Sequence, residues 1–531
     1  RRAMSAERRF SWLAGAALVI LLLAALGLIP SQDQTATVAT MLSIDPFAIF
    51  FKALAIMGVA LVILIAMPYL KGRTAYGGEF YALLLITALA ICFAVSANNL
   101  ILIYLSMEFL SITSYVLAGY LRQDRKSGEA ALKYFLYGAT ASAVMLYGMS
   151  LLYGATGTTD LVQMATILGA RAQGELAWLV TPAVLMLLVG FGFKASLVPF
   201  HQWAPDTYEG APTPVTAFLA TASKATGFAV LMRTFLTALP EYQTDWVAVL
   251  AGISMVSMTL GNLIALKQTN IKRMLAYSSI AQAGYILIAI AVGTEYAVTG
   301  GIFHILTHAF MKGGAFIVVA TLATVAIGER IADYKGLAKR APFLAISMTL
   351  LLFALAGIPP LSGFVSKFVL FSAAIDASQI ADQNWMFWLA MAAILNSALS
   401  LYYYVRVIKY MYVDEGSTKE KIKIPWSMTA AVAGSLSRNV WVGMLGGIAS
   451  AVLLALILGV LSIKYKVNQT ISGTVINIFS TGMTGFISQK FLQTIPGLNQ
   501  PVMFSRVPLP LLADIPLIGP ILFNQNIFVY L

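Results

Sequence analysis

Runs of about 20 consecutive apolar residues recur along this chain, the length an α-helix needs to cross roughly 30 Å of hydrocarbon at 1.5 Å per residue. About twelve precede residue 415, centred near 20, 57, 87, 109, 142, 188, 224, 256, 284, 312, 358 and 398. None alternates with the period of two that marks a barrel strand, and no strands are evident. The expected fold is therefore all-α, a polytopic transmembrane helix bundle. Hydrophobic residues fill 59% of the 531 positions and charged ones 11%, with a mean hydropathy of +0.83. That balance excludes a soluble core wrapped in a charged surface.

The lone cysteine, Cys92, lies inside an apolar run, which removes disulfides, cysteine-ligated clusters and cysteine-rich metal sites together. No glycine-rich nucleotide loop follows a strand, so the chain is expected to bind no cofactor of its own. Electron chemistry is then expected in another subunit. The net charge of +12 is spread over short loops and not gathered on one soluble face, so the lipid bilayer, and not nucleic acid, is the expected partner.

Those loop charges orient the chain. Arg1, Arg2, Arg8 and Arg9 precede span one; Lys71 and Arg73 follow span two; Arg122, Arg125 and Lys126 follow span four. Lys267, Lys272 and Arg273 follow span eight, Arg330, Lys335, Lys339 and Arg340 span ten, and Arg406, Lys409, Lys419, Lys421 and Lys423 span twelve. Odd loops carry chiefly Asp33, Asp45, Asp160, Glu175, Glu241, Asp245 and Glu295, and only Arg171 clearly dissents. The excess of positive charge puts the amino terminus and the even loops in the cytoplasm. The chain opens on Arg1 with no cleavable signal pattern, and its native start is expected to be missing.

Spans three to seven and eight to twelve form two sets of five, and an odd count inverts the second. The expected organisation is 1–78, amino-terminal helices; 79–240 and 241–412, two inverted repeats; and 413–531, a carboxy-terminal segment. Each repeat is interrupted in its fourth span, by Gly192, Lys194 and Pro199 in one and by Gly357, Pro359, Pro360, Gly363 and Lys367 in the other. Proline and glycine are commoner in membrane helices generally, but two breaks at matched positions are the sign of a transporter whose freed backbone lines an ion path.

Charge in mid-span points the same way. Glu108 lies near the middle of span four, Lys194 in broken span six, Lys224 in span seven, Lys312 in span ten and Lys367 beside the second break. Each costs at least a few kcal/mol unless a partner or water is supplied. A single lysine can reach back to the headgroups, but a row of four fits a proton relay, with Glu108 and Lys194 as a pair that toggles. His304, His308 and Lys312 follow at intervals of four, on one helix face able to carry protons. No carboxylate or cysteine completes a metal site with the two histidines. His201, followed by Trp203, Asp206 and Glu209, is either a secondary site or an interfacial anchor.

The stretches GFKASLVPFHQWAPDTYEGAPTP from Gly192 and ASKATG around Lys224 closely resemble the antiporter-like membrane subunits of complex I. EFYALLLITALAICFAVSANNLILIYLSMEFLSITSYVLAGY around Glu108, EAALKYFLYGATASA from Glu129 and AGIPPLSGFVSKF around Lys367 extend the resemblance over about 10 to 425. The wording near Glu108 and LYGATGTTDL from Leu152 favour the subunit N type. The resemblance implies a non-redox, proton-translocating subunit of an NADH:quinone oxidoreductase in a bacterial plasma membrane. Its partners would be other complex I membrane subunits, with NADH, flavin, iron–sulfur and quinone sites elsewhere. It also implies a central proton axis of Glu108, Lys194, Lys224 and Lys367, and one further amino-terminal span. Subunits of multisubunit cation/proton antiporters share these features.

From about residue 430 the chain departs from that pattern. GSLSRNVWVGMLGGIASAVLLALILGVLSIKYKVNQTISGTVINIFSTGMTGFI and the terminal ADIPLIGPILFNQNIFVYL resemble a fragment of a sugar or nucleoside ABC importer permease. The fragment has too few spans to work alone, and an importer is the third and weakest reading of the whole chain.

Overall fold

Inside hydrocarbon a backbone must satisfy its own hydrogen bonds, and the computed structural model answers with helices. It describes residues 6–31, 35–170, 177–380, 383–416, 420–422, 424–436, 507–508 and 524–525. The chain divides into two units, Arg1–Gly443 and Met444–Leu531. In the first, α1 (Ala6–Leu28), α2 (Pro46–Leu70) and α3 (Gly77–Ser96) lead to α4 (Leu100–Ala118), α5 (Arg125–Thr156) and the short α6 (Leu161–Ala170). The first broken crossing is α7 (Val180–Ala195) with α8 (Trp203–Gly210). Next, α9 (Thr213–Phe218) runs through a π-helical turn, Leu219–Ser223, into α10 (Lys224–Ala238).

Three long helices follow, α11 (Gln243–Lys267), α12 (Ile271–Val292) and α13 (Glu295–Thr324), then the single turn α14 (Leu337–Arg340). The second broken crossing is α15 (Pro342–Ala356) with α16 (Ser362–Ala377), and α17 (Met386–Tyr412) and α18 (Trp426–Leu436) complete the described bundle. Among the described residues ten unbroken helices are long and apolar enough to cross a membrane. With the two broken crossings they make up the twelve spans expected.

One expectation fails. Ala36–Val38 (β1) and Leu42–Ile44 (β2) pair antiparallel in the loop after α1, where β-branched Thr37, Val38 and Ile44 favour extended backbone outside the hydrocarbon. In the second unit the described pairs Val507–Pro508 (β3) and Asn524–Gln525 (β4) also lie antiparallel. The expected charges at Arg1, Arg2, Asp33, Arg171, Glu175, Lys419 and Lys423, the side chains of Arg8, Arg9 and Asp245, and the rest of the permease-like stretch fall outside the described residues.

Loop contacts sort the two ends of the bundle as the charge parity requires. At one end Leu42 bridges Ala97, Asn99 bridges Asp160, and Arg233 forks onto Asp45, all at the odd-loop end. At the other, Asn270 bridges Arg330 between even loops. The Asn99 and Asn270 junctions match in detail. In one, Leu100 N donates to Thr159 O and Leu161 N to Asn98 O; in the other, Ile271 N donates to Glu329 O and Ile331 N to Thr269 O. Each asparagine also caps the helix that follows it. The same junction thus occurs once in each half at opposite ends, as an inverted pair requires.

The centre is α9 to α10, α12 and α13, buried on nearly every side. Small residues let these helices close up: a side chain at Gly261 on α11 would sit 2.7 Å from Ala281 N on α12, and one at Gly284 on α12 would sit 2.8 Å from Ser254 O on α11. By contrast, α1 and the outer faces of α4 and α5 stay exposed, with Trp12, Leu105, Phe109 and Leu136 outward.

Candidate functional site

The first break begins where Ser196 turns left-handed at φ 59°, and the Val198–Pro199 bond is cis. The backbone groups it frees are met by neighbours. Leu197 N donates to Gly192 O at 2.8 Å, Val198 N to Ser257 Oγ at 3.0 Å and Trp203 Nε1 to Phe193 O at 2.9 Å. The indole lies flat on Tyr134, ring centroids 4.2 Å apart. His201 sits in this break, half-buried, with Nδ1 unpartnered.

Lys194, in the last turn of α7, is buried and donates to Ser111 Oγ on α4 at 3.0 Å. Glu108 lines the same cavity of about 10 Å³, the size of a single water. Glu108 is half-buried; it makes no direct ion pair with Lys194, and Ser142 on α5 donates to its carboxylate.

Lys224 opens α10 directly after the π-helical turn, which rotates it inward, and donates to Ser279 O on α12 at 3.2 Å. One residue earlier on α12, Ser278 Oγ accepts from Lys312 Nζ at 2.6 Å, and Lys312 also donates to Leu275 O at 3.2 Å. Ser278 in turn shares a short hydrogen bond with Tyr404 on α17. Adjacent residues of α12 therefore receive one lysine from each half. His308, one turn before Lys312 and in electrostatic range of both lysines, is buried with Nε2 unpartnered.

His304 shares a helix face with His308 but is held differently. Gln282 Nε2 donates to Leu355 O at 3.0 Å, which leaves Gln282 Oε1 to accept from His304 Nε2, also at 3.0 Å. His304 Nδ1 then accepts from Ser366 Oγ at 2.8 Å. Both ring nitrogens are occupied and the tautomer is fixed. The two histidines were expected to share one role, whereas here His304 ties α12 to α16 and His308 keeps an unpartnered Nε2.

At the second break Gly357 takes φ 87° and Pro359–Pro360 is cis. Lys367, from the second turn of α16, reaches back across it. Its Nζ donates to Leu355 O at 2.9 Å, Ala356 O at 3.2 Å and Ser397 Oγ at 2.9 Å, and lies 4.6 Å from the centre of the Tyr285 ring. The ammonium thus caps the carbonyl end of α15, where the helix dipole and an aromatic face both favour a cation. Lys194 and Lys224 have one acceptor each, Lys312 two and Lys367 three, the number an ammonium can use.

True ion pairs lie at the even-loop end. Asp206 on α8 sits between Lys133 of α5 at 2.7 Å and Arg273 of α12 at 2.5 Å. Lys133 also reaches Glu129, and Arg273 and Lys126 reach Glu209, beside a polar cleft of about 120 Å³; Lys272 reaches Glu329. This junction clamps the segment after the first break to both halves.

All four mid-span lysines and both helix-borne histidines are thus buried in one interior, with Glu108 at its edge and half-buried His201 in electrostatic range of Lys224. The sequence reading missed the residues that receive the lysines, Ser111, Ser278, Ser397 and Tyr285, and Gln282, which receives His304. Among the described residues no group of three His, Cys, Asp or Glu side chains could hold a metal ion.

A family model described as NADH:quinone oxidoreductase/Mrp antiporter, TM, matches residues 97–400, and one described as Branched-chain amino acid transport system / permease component matches residues 424–514. The F(420)H(2) dehydrogenase subunit N of Methanosarcina mazei is 45% identical over 415 residues, 75% of this chain and 82% of that relative. The NADH-quinone oxidoreductase subunit N of Trichlorobacter lovleyi is 42% identical over 418 residues, 77% and 82%. Among solved structures, respiratory complex I from Thermus thermophilus with bound Aureothin matches with a TM-score of 0.67 and 35% identity over 80% of this chain and 90% of the other. The Mrp complex from Dietzia sp., at 24% identity and a TM-score of 0.69, covers 80% of this chain and 78% of its own and shares the fold. The permease match begins two residues before α18, yet α18 packs in the bundle: a side chain at Gly314 on α13 would meet Ser435 Oγ at 2.7 Å.

Proposed function

Because this chain belongs to the NADH:quinone oxidoreductase/Mrp antiporter membrane-subunit family, we propose that it is the proton-translocating subunit N of a membrane-bound, quinone-reducing oxidoreductase. It carries protons along Glu108, Lys194, Lys224, His308, Lys312 and Lys367, with His304 holding the last part of the path in place. Pro199, Pro359 and Pro360 open the two breaks that line it. Hydride donor, flavin, iron–sulfur and quinone chemistry belong to partner subunits, and this chain is the non-redox part of the translocase. It spans the plasma membrane many times beside other membrane subunits of the same complex.

One observation carries the reading: four buried lysines in a row meet hydroxyls and carbonyls, and among the described residues none meets a carboxylate within ion-pair range. A buried lysine with a carboxylate keeps its proton and one with no acceptor loses it, whereas neutral acceptors leave the two states close enough to exchange. The hydrated end would be the Glu108 and Lys194 cavity, where one water can join the carboxylate to the amine.

The test is proton pumping in membrane vesicles carrying the assembled complex, energised with NADH and separately with F(420)H(2), since the relatives' names divide between these donors. Glu108→Ala and Lys367→Ala are each expected to lower protons moved per electron while electron transfer persists. Native pumping per electron in both variants would overturn the assignment. Cation exchange that continues without either donor or quinone would favour an antiporter subunit instead.

A further inference from the structure

Lys312 is fully enclosed on α13. The charged and titratable groups that face it are Lys224 of α10, Lys367 of α16, His308 one turn earlier on its own helix and, across Ser278, Tyr404 of α17. Among the described residues no carboxylate lies within 4.0 Å of its amine. A buried ammonium with cations for neighbours and no anion can be held only by dipoles turned toward it.

Those dipoles stand in a row that crosses from α12 through α17 to α11. Lys312 Nζ donates to Ser278 Oγ at 2.6 Å, and Ser278 shares a hydrogen bond with the hydroxyl of Tyr404. Tyr404 also faces Tyr403 and Gln282, with the two tyrosine ring centroids 4.4 Å apart. Tyr403 donates to Asn262 Oδ1 at 2.8 Å, and Asn262 Nδ2 donates to Asn396 O at 3.0 Å. Ser278, Tyr404, Tyr403 and Asn262 are all wholly buried. The far end of the row sets its direction. Asn396 O can only accept, which fixes the Asn262 amide with Oδ1 toward Tyr403; Oδ1 can only accept, which holds the Tyr403 hydrogen. The Tyr403 oxygen is then left to accept from Tyr404, the Tyr404 oxygen from Ser278, and the Ser278 oxygen from Lys312. Every hydroxyl turns its oxygen toward the amine, and bonds aligned in this way strengthen one another.

We propose that Tyr404 is a positioning residue for proton carriage by Lys312: through Ser278 it presents the amine with an oriented row of hydroxyls, anchored on Asn262, that holds the loaded state in place of a carboxylate. No member of the row is charged, so it holds the ammonium without locking it. Once Lys312 has passed its proton on, the Ser278 hydrogen turns to Nζ and the Tyr404 hydrogen to Ser278, and no heavy atom has to move. The row reverses as the lysine empties and resets as it loads. This rests on Lys312 carrying protons, and it gives the two adjacent tyrosines of α17 a part in that reading.

Tyr404→Phe deletes one oxygen and keeps the ring that packs on Tyr403. Protons moved per electron are measured across pH in vesicles carrying the assembled complex, native, Tyr404→Phe and Lys312→Met; the ratio cancels the pH dependence of electron transfer itself. Pumping is expected to fall where rising pH leaves Lys312 empty. In Tyr404→Phe that fall is expected about one pH unit lower, a tenfold weaker hold on the proton and about the effect of losing one hydrogen bond to a charged group. Tyr403→Phe, which cuts the row one residue further out, is expected to shift it the same way by less, and it decides the matter if Tyr404→Phe does not assemble. A ratio lowered equally at every pH would make Tyr404 a packing residue and overturn the proposal, and so would a native profile. Native pumping in Lys312→Met overturns instead the path through Lys312 on which the proposal rests.

Discussion

Replacing Asp45 separates two things that one carboxylate does at the odd-loop end. Asp45 caps α2 by accepting from Ala48 N at 2.7 Å, and it holds both arms of Arg233 at 2.8 and 2.9 Å. Arg233 lies nine residues beyond Lys224 on α10, about 14 Å along the helix, so the pair fixes how deep Lys224 sits. Asparagine caps a helix about as well as aspartate. Asp45→Asn therefore removes only the ion pair, and Asp45→Ala removes both. Arg233 is 10% exposed and Asp45 25%, so stranding the guanidinium falls below the roughly 3–5 kcal/mol of a fully buried pair, at about 2–3 kcal/mol. The lost cap adds about 1 kcal/mol to Asp45→Ala. Burial would raise the Asp45 carboxyl, but Arg233 and Ala48 N hold it below its ordinary 3.8. Because the folded value is depressed, this stabilisation is complete above pH 4 or so and is lost as pH falls through the folded value. Thermal unfolding of the purified complex should rank native above Asp45→Asn above Asp45→Ala at pH 7, and the gap between native and Asp45→Asn should shrink below pH 4. Equal midpoints for native and Asp45→Asn at pH 7 would refute the reasoning.

Two further substitutions probe the interior. Gln282→Leu takes away the acceptor of His304 Nε2 while Leu355 O keeps Lys367; a stability loss of about 1–3 kcal/mol is expected from the stranded N–H, and an unchanged unfolding midpoint would show that His304 is not held this way. Gly210→Ala would set a methyl 2.4 Å from Lys126 O and 2.8 Å from Ala130 Cβ; since the first of these is helix backbone, a loss of about 1–3 kcal/mol and less assembled complex on native gels are expected, and native yield would contradict the close approach of α5 and α8.

The sequence reading succeeded where one residue's surroundings are set by its own helix. Run length gave the spans, Pro199 and Pro359 gave the breaks, and loop charge gave the parity of the two ends. It failed where the answer depends on how helices are rotated against each other. Glu108 is at mid-span, as read, but no periodicity in a helix apolar all round reveals that Ser142 of α5 donates to it while Lys194 bonds Ser111. The serines that receive the lysines lie 30, 34 and 83 residues away for Lys367, Lys312 and Lys194. Serine is common in membrane helices, so nothing marks these three among the rest. Arg233 was overlooked because a charge near a helix end reads as a loop residue, and its partner Asp45 belongs to a loop 188 residues earlier.

Where the chain places its ion pairs and where it withholds them supports the proton-carrying reading as a whole. At the even-loop end Asp206 joins Lys133 to Arg273, and at the odd-loop end Asp45 joins Arg233. Between them, among the described residues, none of Lys194, Lys224, Lys312 and Lys367 has a carboxylate within 4.0 Å. A carboxylate about 4 Å from an amine, at an effective dielectric constant of about 20, would favour the charged form by roughly 4 kcal/mol, close to a thousandfold in proton affinity. Such a lysine would be a clamp, which suits the ends, where α5, α8 and α12 or α2 and α10 must be held together. Hydroxyls and carbonyls bind an ammonium far less tightly and tolerate the amine, so the same side chain in the middle can be loaded and emptied. A bundle evolved only for rigidity would have no reason to bury four lysines and then deny each of them its best partner.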